Sequence, residues 1–255
     1  QEGLFEHLKG QFAFALWDRK RHVLILARDR FGICPLFFSQ QGDWLLFGSE
    51  IKAMLASGMI EAKANLRGID QAFNFFAVPG PATCFAGVTC LQPGQYLRID
   101  LGLAATRSGA RAPVERKYYW RIDFPDQGQE DRETDPKKLV DEFDRVLLGA
   151  VERRLRADVP VVSYLSGGID SSIVVAMAAK IRCTPITTFT IQIMDPKLDE
   201  TSQAAVVSRH IGSTPIVVQV GDAEVLESYP ELIRAAEAPV IDTSCTALLR
   251  LARSV

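Results

Sequence analysis

VVSYLSGGIDSS, residues 161–172, decides how the second half of this chain folds. Residues 161–165 spell a buried strand, Gly167 and Gly168 a turn, and a helix is expected to start at Ser171 and run on through IVVAMAAK. A strand, a glycine turn and a helix start, in that order, make an anion site. Glycine lets the backbone come close to a ligand with its N–H groups pointing inward. The helix start adds roughly half a positive charge and unpaired donors. Ser166, Ser171 and Ser172 bring three hydroxyls to the same place, and Asp170 a carboxylate. A carboxylate beside a phosphate is repulsive unless a cation lies between them, so Asp170 points to Mg²⁺. The string is not a Walker A loop, which needs GxxxxGK[ST], nor a nucleophile elbow, which needs GxSxG. The competing reading is a plain strand-to-helix turn, with Asp170 or Ser171 serving only as a cap.

The flanking sequence repeats the pattern. Asp135-Pro136 is a helix start, a cap followed by proline in the first turn. Leu139, Phe143, Val146, Leu147, Ala150, Val151 and Leu155 then fall on one apolar stripe. ITTFTIQI (186–193) and PIVVQV (215–220) are strand-like, and helices are expected over 199–211 and 222–236. Strands alternating with helices imply right-handed βαβ units and a doubly wound, parallel, Rossmann-like sheet. Ligands in such sheets sit at the carboxyl ends of strands, where the glycine loop lies and where Ile191 and Gln192 fall.

Residues 1–100 carry another rhythm. QFAFALW (11–17) and VLILAR (23–28) form a hairpin across a charged turn, and 36–39 with 44–49 form a second across QQGD. DRFGICP (29–35) is a loop, 50–57 a short helix ending at Gly58, and 66–76 an amphipathic helix. QYLRID (95–100) and KYYWRID (117–123) are further strands, with an Ala, Gly and Arg-rich hairpin insertion over 102–116. Antiparallel strands in this order suggest a layered α+β domain.

At 255 residues the chain holds one large domain or two ordinary ones. A net charge of −2 gives no sign of nucleic-acid binding, and no apolar run is long enough for a membrane span. The 5 cysteines are odd in number and lack a CxxC, which suggests neither disulfides nor zinc and suits a reducing cytoplasm. The 3 histidines are scattered and take no assigned chemistry.

SGGIDSS resembles the pyrophosphate loop of the ATP pyrophosphatases that include the asparagine synthetases. GQFAFALWD, ARDRFGICPLFF and GSEIKAML are similar to the second half of the glutamine amidotransferase domain of the asparagine synthetase B type, an N-terminal-nucleophile hydrolase with an αββα sandwich. The resemblance implies a partial glutaminase domain over 1–125, a linker over 126–135 and a partial ATP pyrophosphatase domain over 136–255. It implies that Leu165, Ser166, Gly167, Gly168, Asp170, Ser171 and Ser172 hold ATP and its pyrophosphate, that Leu165 and Ile191 contact the adenine nucleotide, and that Asp170 is a Mg²⁺ ligand. Asp199-Glu200 resembles an acidic pair of the family but is read here as charge placed at a helix start. Glu237, Pro239, Asp242 and Ser244 resemble an E-x-P-x-x-D-P-S element that shapes the aspartate side, with Thr243 in place of proline.

The implied substrates are aspartate, glutamine and ATP, and the implied reaction is carbon–nitrogen ligation. The aspartate carboxylate is adenylated with release of pyrophosphate and then amidated by ammonia from glutamine. A homodimer is left open. The family's N-terminal nucleophilic cysteine, its SGEGxDE segment and its acid/base glutamate are not found between Gln1 and Val255. No catalytic residue is therefore assigned, and the chain is expected to be an internal piece, inactive by itself in both half-reactions. The alternatives are a ring-closing relative of the β-lactam synthetase or peptide cyclase type, and a catalytically dead scaffold.

Overall fold

The computed structural model describes residues 3–102, 114–130, 133 and 135–255. It separates into two compact units, Gln1–Phe124 with Ile233–Ile241, and Pro125–Leu232 with Asp242–Val255. Most of the insertion expected over 102–116, and residues 131, 132 and 134 of the expected linker, lie outside the described residues.

In the first unit, β1 (Ala13–Asp18) and β2 (Val23–Arg28) pair antiparallel from Ala13↔Arg28 to Asp18↔Val23. The Asp18 carboxylate holds the turn by accepting from the Lys20 and Arg21 N–H groups at 3.0 and 3.1 Å. The second hairpin, β3 (Phe37–Gln41) with β4 (Trp44–Gly48), closes from Gln41↔Trp44 through Gly42, whose φ is 58°. The two hairpins enter different sheets. With β5 (Thr89–Cys90), β6 (Gln95–Asp100) and β7 (Val114–Tyr118), the orders are β1-β2-β6-β7 and β4-β3-β5. The closing strand expected over 117–123 is thus shifted towards the N-terminus, to Val114–Tyr118.

Period-two alternation explains the layering. Along β2, Leu26 joins Leu97 and Ile99 of β6 and Phe38 of β3 in a core between the sheets. Val23, Ile25 and Ala27 point the other way, where Phe5 of α1 (Leu4–His7) covers them. On the far face of the second sheet, Ile51 and Met54 of α2 (Ile51–Leu55) pack with Phe37 and Leu46. Helix, sheet, sheet, helix is the αββα order. The helix α3 (Leu66–Phe75) ends where Phe76 turns left-handed, and Leu66, Phe73, Phe75 and Phe76 of its amphipathic face stay exposed.

In the second unit, β8 (Ser163–Tyr164), β9 (Thr188–Ile193) and β10 (Ile216–Val220) are parallel in the order β10-β9-β8. The helix α4 (Pro136–Arg154) precedes β8, α5 (Ile169–Arg182) joins β8 to β9, and α6 (Thr201–His210) joins β9 to β10. Asp135 caps α4 by accepting from the Lys137 N–H at 3.0 Å, with Pro136 in its first turn. Val151, Val175, Ala178 and Ala204 bring α4, α5 and α6 into one core. The opposite face of β9 carries Phe189, Ile191 and Ile193, facing the last helix, α8 (Ser244–Ala252), which follows α7 (Asp222–Ala236). Helices on both faces of a parallel sheet make the unit doubly wound.

The apolar stripe of α4 is buried only towards its C-terminal end, at Val151. Leu139, Val140, Phe143 and Val146 are exposed, Phe143 by 62%. No helix among the described residues is long and apolar enough to cross a membrane. The five cysteines are free thiols.

Candidate nucleotide site

The loop after β8 is fixed before it meets any ligand. Leu165, 1% exposed, donates its N–H to the Phe189 carbonyl at 2.9 Å, and its own carbonyl accepts from the Thr190 hydroxyl at 2.9 Å. The chain then turns through Gly167 at φ 85° and extends through Gly168, whose ψ of 161° sets it as the N-cap of α5. The helix starts at Ile169, two residues before the expected Ser171. That start puts the N–H groups of Ile169, Asp170 and Ser171 in the first turn, where a helix supplies no acceptor.

The serines brace the loop. Ser166 Oγ lies 3.0 Å from Ser171 Oγ and accepts the Gly168 N–H at 3.2 Å. The Ser172 hydroxyl turns back onto the Gly168 carbonyl at 2.6 Å, so it faces its own helix rather than open space. Asp170 stands exposed in the first turn of α5.

Beside this loop is a cavity of about 290 Å³, at the lower end of the range for small-molecule sites. Leu165, Ser166 and Ile191 share its wall with Tyr164 of the same strand, with Glu200, expected only as charge at a helix start, and with residues given no site role from the sequence, among them Phe189 and Leu248. Phe189 and Leu248 come from the next strand and the last helix, neither of which carries a loop-like signature. The Asp199-Glu200 pair divides its work. Asp199 accepts from the Thr201 N–H at 3.1 Å and from its hydroxyl, which is the helix-start role expected of the pair. The Glu200 side chain makes no capping bond, and the residue is one of those lining the cavity.

The element from Glu237 to Ser244 is split. Ser244 lines the cavity, and Asp242 accepts its N–H at 2.9 Å, a bond that holds the Asp242 carboxyl below the usual carboxylate range. Glu237 and Pro239 belong to the first unit. There the Glu237 carboxylate accepts from the N–H groups of Ile51 and Lys52, at 2.7 and 2.5 Å, capping α2 while its own backbone is left-handed at φ 56°. Glu237→Ala should therefore destabilise the first unit by about 1–2 kcal/mol, the usual cost of a lost cap, seen as a lower urea midpoint. An unchanged midpoint would show that the bond contributes nothing.

Among the described residues no group of three or more His, Cys, Asp or Glu could hold a metal. Asp170 alone fits Mg²⁺ shared with phosphates, because that ion keeps several waters and takes one or two carboxylates beside phosphate oxygens.

Fold and site together define a two-unit α/β protein, with an αββα sandwich and a parallel sheet that carries a glycine loop beside an apolar cavity. A model for a glutamine amidotransferase domain matches residues 2–110, and one for asparagine synthase matches 142–255. Asparagine synthetase [glutamine-hydrolyzing] 3 of Bacillus subtilis is 37% identical over 188 residues, 70% of this chain and 27% of its own length. Asparagine synthetase [glutamine-hydrolyzing] 1 of the same organism is 30% identical over 247 residues, 96% of this chain and 36% of its own length. Amidase chyE of Penicillium rubens is 33% identical over 263 residues, 98% of this chain and 37% of its own length. The chain belongs to the asparagine synthetase family, and it spans about a third of the length of these relatives.

Proposed function

We propose that the whole protein is an ATP-dependent, glutamine-hydrolysing asparagine synthetase, with an amidotransferase domain over 1–125 and a synthetase domain over 136–255. The observation that carries this reading is the convergence of Leu165, Ser166 and Ile191 on one apolar cavity beside the Gly167-Gly168 turn. An apolar slot takes the flat base, and the first N–H groups of α5 receive the phosphates. An aspartate side-chain oxygen then attacks the α-phosphorus, and the bond to the bridging oxygen breaks, releasing pyrophosphate. Ammonia freed from glutamine attacks the acyl carbon. AMP leaves with the electron pair of the acyl–oxygen bond, and the nitrogen sheds a proton. The loop donors stabilise the charge that develops on the leaving pyrophosphate. Asp170 would hold Mg²⁺ against the same phosphates, where the ion neutralises that charge.

The test uses the full-length protein with ATP, Mg²⁺, aspartate and glutamine, reading AMP and asparagine by mass spectrometry. Both products are expected. Asp170→Ala should raise the Mg²⁺ needed for half-maximal rate by about tenfold, the order expected for one lost charge contact in a wet site. No AMP with any carboxylate would sink the reading. A second reading draws on the Penicillium rubens relative, which aligns over 98% of the chain and is named an amidase. On it, glutamine is consumed without formation of asparagine from aspartate.

A further inference from the structure

We infer that Glu200 is the residue that recognises the ribose of the bound nucleotide, an inference that rests on the nucleotide reading above. Glu200 lines the apolar cavity together with Leu165 and Ile191, so it faces the ligand's nucleoside end. It also sits one turn before the point where α6 meets the phosphate loop. A Cβ built on Gly167 would lie 2.6 Å from the Ala204 nitrogen and 2.7 Å from Gln203 Cβ, and the Ala204 N–H donates to the Glu200 carbonyl at 3.1 Å. Glu200 is therefore tied both to the cavity that takes the base and to the helix start that abuts the phosphate loop, the stretch over which a nucleotide carries its sugar.

The chemistry agrees with the position. An ionised carboxylate only accepts hydrogen bonds. The two hydroxyls of a ribose are donors, whereas phosphate oxygens offer none. Capping of α6 falls to Asp199, which leaves the Glu200 side chain for another role. The same logic operates in dinucleotide-binding sheets, where an acidic residue after the second strand takes the ribose 2′-hydroxyl. Here β9 is the second strand of the parallel unit, and Glu200 follows it.

The experiment measures dissociation constants of ATP, 2′,3′-dideoxy-ATP and GTP by calorimetry on the full-length protein and its Glu200→Ala and Glu200→Gln variants. The wild type is expected to prefer ATP over the dideoxy analogue by about tenfold, the scale of one charge-assisted hydrogen bond. Glu200→Ala should abolish that preference, Glu200→Gln should keep part of it, and neither should alter the ratio of ATP to GTP. A preference that survives Glu200→Ala overturns the inference, as does a change in the ATP to GTP ratio alone, which would assign the carboxylate to the base. A wild type that binds ATP with no preference over the dideoxy analogue overturns the inference and leaves the nucleotide site standing. A wild type that binds no nucleotide removes both.

Discussion

Gly167→Ala in the full-length protein is expected to lower ATP-dependent product formation at least about a hundredfold, the penalty that follows when reacting groups are misplaced by about 1 Å. Two independent costs meet at this residue. Its φ of 85° lies in the left-handed region, where a side chain costs about 1–2 kcal/mol. Its missing Cβ faces backbone as well: the added carbon would lie 2.6 Å from the Ala204 nitrogen and 2.9 Å from the Gln203 carbonyl carbon. Neither can swing aside as the end of a flexible side chain would. Either the loop or the start of α6 must move, and both border the cavity. Gly168→Ala is the control. Its φ is −68°, and its added carbon would meet only Ser166 Oγ, at 3.3 Å. That variant should keep its product formation within a few-fold of the wild type. AMP release and nucleotide affinity, measured on both variants, test the contrast. Equal activity would mean that the turn is not the phosphate cradle.

The features that could be read from sequence are those written within a few residues. The Asp135-Pro136 start of α4, the Gly42 hairpin and the strand–glycine–helix order after β8 all depend on neighbours along the chain. Pairings made across long separations were not legible in detail. Hydrophobic alternation marks β2 as a strand but does not say that its second partner is β6, about seventy residues on, or that the two hairpins enter different sheets. The apolar stripe of α4 is plain in the sequence, yet its exposed half shows that periodicity identifies a face without identifying what covers it. The candidate site divides in the same way. Leu165, Ser166, Gly167 and Gly168 sit in one short string, and Ile191 enters through the strand end. Glu200 and Leu248 reach the cavity only through the packing of α6 and α8. Glu237 reads like the start of a substrate-side element, but its carboxylate closes the end of a five-residue helix in the first unit.

Asp29→Ala is expected to cost the first unit about 3–5 kcal/mol, because a buried acceptor is removed and its donors are left without a partner. Asp29 is 1% exposed. Its carboxylate accepts from four backbone N–H groups: Phe31 and Ile33 on one oxygen at 3.1 and 3.0 Å, Phe12 and Cys34 on the other at 3.3 and 2.9 Å. The neighbouring Arg28 serves the same loop with opposite polarity, donating to the carbonyls of Gly32, Cys34 and Leu91. The Asp29 carboxylate thus takes three N–H groups of DRFGICP and the Arg28 guanidinium two of its carbonyls. Burial pushes the Asp29 carboxyl up, but the bonds from Cys34, Ile33, Phe12 and Phe31 outweigh it and hold the group below the usual carboxylate value. The sign of the pH dependence follows. The unfolded chain takes up the proton first, so the stabilisation is complete above the ordinary aspartate value of about 3.9 and is lost as pH falls through the lower folded value. Urea unfolding between pH 3 and 7 should show a constant gap between wild type and Asp29→Ala above about pH 5, narrowing in acid. Asp29→Asn separates charge from shape. It keeps one accepting oxygen but turns an NH₂ towards N–H groups, so its cost should approach that of alanine and narrow in acid in the same way, because only the wild type titrates at this position. A gap for Asp29→Ala that does not narrow in acid would mean that the loop is held by Arg28 and packing rather than by the carboxylate.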